Sequence, residues 1–138
     1  MKPEAIFAPV GVLSLWTLFI LFLVAYRRIE AARARRVPRG AFRLGESPDV
    51  PPDVAVVNRN YMNLLESPIL FYVAALVLYA TRHVGTGQIV LAWIYVALRL
   101  VQSFVHLTKN RIMQRLVVFA LSNLVLIAMW TWIIVSVF

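Results

Sequence analysis

Four apolar runs, at residues 6–26, 59–80, 88–107 and 114–137, leave this chain few ways to fold. Each is close to the ~20 residues an α-helix needs to cross a hydrocarbon layer about 30 Å thick. Backbone amides inside lipid find no water, so each run must satisfy its own hydrogen bonds, which a helix does. Of the 138 residues, 62% are hydrophobic and 14% charged, so little chain remains for anything outside a bilayer. The expected fold is an all-α integral membrane protein, a four-transmembrane-helix antiparallel bundle forming one domain over residues 1–138.

A formal charge of +8 would suggest nucleic acid in a soluble protein, but no soluble module is left to hold a groove. Arg27, Arg28, Arg33, Arg35, Arg36, Arg39 and Arg43 instead crowd the connection 27–57. There they read as a cytosolic topology signal that also meets anionic headgroups. The segment from Arg28 to Arg36 is expected to carry the first helix out of the membrane, and Pro38, Pro48, Pro51 and Pro52 then deny regular structure. Lys109, Arg111 and Arg115 fall on the same side, while Lys2 and Arg82 lie opposite, which puts both termini away from the cytosol. The first run has neither the basic lead nor the small-residue end of a cleavable signal, so it reads as an anchor. The absence of cysteine excludes a disulfide framework, a thiolate metal site and a cysteine nucleophile.

The polar residues inside the runs carry the functional argument. Arg59, Asn63 and Glu66 are spaced to share one face of the second helix, and Pro68 follows, where a kink is expected. Arg99, Gln102, Ser103 and His106 share a face of the third, with Arg99 roughly 12 Å from its end by helix rise. Arg115 opens the fourth. All fall in the cytosolic leaflet. One reading is an ion pair between Glu66 and Arg99 that fixes helix register. The other starts from arithmetic: three arginines face one carboxylate, and surplus guanidinium beside Asn63, Gln102 and His106 suits an anionic ligand. His83, in the turn at 81–88, reads as solvated.

The pattern Arg59-x3-Asn63-x2-Glu66, then Pro68, Arg99 and Arg115, resembles the MAPEG family (membrane-associated proteins in eicosanoid and glutathione metabolism), and its short bacterial branch most. The resemblance implies a homotrimer in a bacterial inner membrane, with glutathione as co-substrate between subunits near the cytosolic face. By that resemblance Arg59, Asn63 and Glu66 contact glutathione and Arg115 stabilises its thiolate. Arg99 matches a third-helix arginine that could pair with Glu66, Gln102 and His106 add ligand contacts, and Arg33 is a candidate for the peptide's carboxylates. The chain departs from the family pattern at His106, Phe119 and Leu116, where several members carry hydroxyl side chains. Lost hydroxyls make prostaglandin-type isomerisation doubtful, while conjugation or peroxide reduction needs fewer donors.

The leading expectation is a glutathione transferase or peroxidase acting on hydrophobic electrophiles or lipid hydroperoxides that arrive through the bilayer. The alternative is a non-catalytic lipid- or anion-binding protein of the same fold. A transporter trails, because neither internal repeats nor discontinuous helices are evident.

Overall fold

The computed structural model describes residues 2–43, 45–109 and 111–137, and over these the chain is helical. A short 3-10 turn at Pro3–Ile6 leads into α1 (Phe7–Arg33), followed by α2 (Pro52–Leu65), α3 (Pro68–Ala80), α4 (Thr86–Leu107) and α5 (Ile112–Val137). Four helical stretches, Pro3–Arg33, Pro52–Ala80, Thr86–Leu107 and Ile112–Val137, are long and apolar enough to cross a membrane. The protein is a multi-pass integral membrane protein. Its connection between the first two spans is shorter than residues 27–57, because α1 continues to Arg33 and α2 starts at Pro52.

The second span is broken rather than kinked. Pro68 has no amide to give the Leu64 carbonyl, and its ring displaces the preceding turn. Accordingly α2 stops at Leu65, Glu66 adopts φ −77° and ψ −96°, and the chain restarts as α3 at Pro68. The interruption lets the halves choose different neighbours: α2 packs on α1 and α4, while α3 packs chiefly on α5.

The central helix is α4. Its residues Ile89, Ala92, Tyr95, Val96, Arg99, Gln102, Ser103 and His106 are all buried, a continuous stripe at helical spacing. Toward the Gly85 end the stripe is apolar: Tyr95 stacks on Phe71 of α3 with ring centroids 4.8 Å apart. Small Ala74, Ala75 and Ala92 are fully buried there and permit close helix approach. From Arg99 onward the stripe turns polar. Opposite it, α1 contributes Leu13, Ile20 and Val24, and α5 contributes Leu126, Met129 and Ile133.

Three helices are cross-linked at one hydroxyl. Asn60 Nδ2 of α2 and Trp16 Nε1 of α1 each donate to Ser103 Oγ of α4 at 2.8 Å. This commits Ser103 to helix packing, and gives α1 a polar role that its apolar sequence did not suggest. Thr17, by contrast, donates its hydroxyl to the Leu13 carbonyl of its own helix. Replacing Ser103 by Ala removes the acceptor of both donors. Hydrogen bonds between membrane helices average only about 0.6 kcal/mol. Orphaning a buried donor costs about 1–3 kcal/mol, so Ser103→Ala is expected to lower stability by about 2 kcal/mol. Thermal unfolding of the detergent-solubilised protein measures it, and a variant as stable as the parent would refute the cross-link's role.

Candidate functional site

The polar residues gather at the end of the bundle that carries the basic connection, between α2 and α5 with α4 behind. A cavity of about 580 Å³ is lined by Arg59 of α2, His106 of α4, Arg115 of α5 and residues of the connection, among them Glu46, Ser47 and Pro48. Its volume falls within the ~300–1,000 Å³ typical of small-molecule sites. A smaller cavity of about 250 Å³ is lined by Asn63, Glu66, Gln102, Ile112, Arg115, Leu116 and Phe119. Arg115 borders both, so the larger recess and the smaller one meet at its side chain.

Arg99 stands behind this wall and not on it. It is 1% exposed. One guanidinium nitrogen donates to Gln102 Oε1 at 2.7 Å and another donates to the backbone carbonyl of Asn63. The break at Pro68 explains the second bond. In a continuous helix the Asn63 carbonyl would accept from the amide of Ser67, but α2 has ended, and the last carbonyls of a helix need partners from elsewhere. A guanidinium also suits the negative end of the helix dipole. The expected Glu66–Arg99 ion pair is therefore not formed: among the described residues the ion pairs are Arg27–Glu30 and Arg36–Asp53. Glu66 is exposed on the bundle flank and faces the smaller cavity with Asn63. Arg99 further lies over the Phe119 ring, 5.8 Å from its centroid. Its role is to hold Asn63, Gln102 and Phe119 in place.

The neighbours are tuned by these contacts. With its carbonyl taken by Arg99, Gln102 has its amide N–H groups to offer the smaller cavity. His106, 1% exposed, places Nδ1 3.4 Å from Asn63 Nδ2, an arrangement in which the amide donates when Nδ1 carries no proton. Leu116 and Phe119 make one side of the smaller cavity apolar.

The connection is ordered against this site by three contacts. Val50 and Val54 pack on Ala31, with Val37, Ala41 and Phe42 around them. Arg36 donates to both carboxylate oxygens of Asp53 in a two-pronged contact of 2.7 and 3.1 Å, and this hydrogen bonding to Asp53 raises the Arg36 pKa above its usual value. Arg28 lies 5.1 Å from the centroid of the Phe42 ring. Positive φ angles at Gly40 (85°) and Gly45 (100°) turn the chain, the second immediately before Glu46. The sequence assigned no role to Glu46 or Ser47. Arg33, a candidate for the site, instead lies in a separate surface groove with Tyr26, Ile29 and Glu30.

A polytopic membrane bundle with a cationic recess at one end is thus the class that fold and site define. The family model for the MAPEG family matches residues 6–135, nearly the whole chain, and the protein belongs to that family. Neither a curated protein nor a solved structure gives a significant match. Family membership carries a glutathione-related function at the family level.

If Arg99 caps α2, replacing it by Met should leave the Asn63 carbonyl without its partner while keeping most of the side-chain volume. The expected loss is about 1–3 kcal/mol of unfolding free energy. An unchanged thermal midpoint for Arg99→Met would show that the cap contributes nothing.

Proposed function

We propose that this protein is a membrane-bound glutathione-dependent transferase or peroxidase acting on hydrophobic electrophiles or lipid hydroperoxides. The observation that carries this reading is the position of Arg115, which borders both cavities at once. A tripeptide occupying the larger cavity would reach the smaller, partly apolar one with its thiol. Arg59, Asn63, Glu66, Gln102 and His106 would position it, with Arg99 acting through Gln102 and Asn63.

Arg115 has a definite task in this reading. A thiol with an unperturbed pKa near 8.5 is only about 3% ionised at pH 7. An adjacent guanidinium favours the thiolate, and full ionisation raises the nucleophile's concentration about thirtyfold. In conjugation the thiol gives its proton to solvent, sulfur bonds to the electrophilic carbon, and any leaving group departs with its electron pair. In peroxide reduction two glutathiones are oxidised to the disulfide while the hydroperoxide becomes an alcohol and water. Leu116 and Phe119 offer an apolar surface to the second substrate and no hydroxyl near the sulfur, which suits these reactions better than isomerisation.

The basic connection supports a cytosolic recess with both termini opposite, as in a bacterial inner membrane. Glu66 supports self-association: a carboxylate left at the flank of a membrane-crossing segment costs about 2.5–3.5 kcal/mol, which a neighbouring copy in a homotrimer would relieve. The alternative is a non-catalytic lipid- or anion-binding protein of the same fold, in which the same recess holds its ligand without turnover.

Calorimetric titration of glutathione into the solubilised protein, together with turnover on a panel of electrophiles and hydroperoxides, separates these readings. Glutathione binding with turnover is expected; binding without turnover selects the non-catalytic one. Arg115→Ala should reduce kcat about 10- to 30-fold at pH 7 while changing the Kd for glutathione only severalfold. Its rate should recover as pH rises toward the free thiol's pKa, since the missing thiolate is then supplied by ionisation alone. A variant with the parent's rate and pH profile would remove Arg115 from its assigned role.

A further inference from the structure

Two polar atoms of the connection are shielded from solvent and make no hydrogen bond among the described residues: Glu46 Oε1 and Ser47 Oγ. Both residues line the larger cavity, which also has Arg59, His106 and Arg115 in its wall. A buried acceptor left without a donor is destabilising, and more so when charged, so its retention asks for a reason. Their placement is held from both sides, by the Phe42 contact with Arg28 before them and by the Val50–Val54 packing and the Arg36–Asp53 pair after them.

The cavity is therefore bipolar. The α2 and α5 side presents two guanidiniums, and the connection presents a carboxylate and a hydroxyl. A simple dianion or a lipid phosphate is matched by the first side and repelled by the second. A ligand that carries both carboxylates and a primary ammonium is matched by both. We infer that Glu46, with Ser47 beside it, is the subsite for the ligand's ammonium group and makes the cavity selective for amino-bearing, zwitterionic anions. This rests on the reading that glutathione occupies the cavity, since its γ-glutamyl end carries an α-ammonium beside an α-carboxylate. Selectivity against simple anions then comes from charge repulsion as much as from attraction.

The test compares glutathione with N-acetylglutathione, which keeps the thiol and both carboxylates but has no charged amine. Both are titrated calorimetrically into the full-length solubilised protein and into Glu46→Gln. The parent should bind glutathione at least tenfold more tightly than the acetylated peptide. Glu46→Gln should lose about tenfold for glutathione, leave N-acetylglutathione nearly unchanged and bring the ratio close to one. Equal binding of the two peptides by the parent overturns the subsite without recourse to any variant. An undiminished preference in Glu46→Gln also overturns it. In both cases glutathione still binds, so the functional reading survives. If the parent binds neither peptide, both proposals fall together.

Discussion

The bundle depends on one buried guanidinium. Arg99 sits in the middle of a membrane protein at 1% exposure, where a cation has few acceptable partners. Its partner is the carbonyl of Asn63, freed because proline ends α2 two residues later. Break and cation answer each other's need: the helix end requires a donor and the charge requires acceptors. Gln102 supplies a second acceptor from the same helix as Arg99. The bonding ties the end of α2 to α4 at the level where the cavities begin.

From that junction the rest of the site takes its form. With α2 held by α1 and α4, and α3 leaning on α5, the two halves of the second span diverge around Glu66. The recess between α2 and α5 lies beside this divergence, and Arg115 enters it from the first turns of α5. The hydroxyl of Ser103, one turn along α4 from Arg99, binds α1 and α2 into the same block. A rigid polar wall results, with Asn63, Gln102 and His106 mounted on it. Such support from residues that do not line the cavities keeps the cavity-lining side chains in register.

The connection between the first two spans is also structural. Its arginines divide by use: Arg36 pairs with Asp53, Arg28 lies against Phe42, and Arg33 faces a groove apart from the site. The small apolar cluster around Ala31, Val50 and Val54, together with the Arg36–Asp53 and Arg28–Phe42 contacts, turns this proline- and glycine-bearing stretch into a wall of the larger cavity. An arginine count could signal topology but not this division, because the partners Asp53 and Phe42 are distant in sequence from the cations they meet.

The sequence by itself determined the four spans, a disturbance of the second at Pro68 and the helical faces that carry Arg59, Asn63, Gln102 and His106, while Glu66 falls in the break and not on the face. These follow from hydrophobic run length, the missing proline amide and the 3.6-residue repeat, all local properties of the chain. Tertiary structure alone decided who partners whom. It gave Arg99 a helix end in place of Glu66, spent Ser103 on Trp16 and Asn60, and brought Glu46 and Ser47 to the cavity. A carbonyl released by a helix break looks, in sequence, like every other carbonyl, and a loop's folded path depends on contacts that only the assembled bundle supplies.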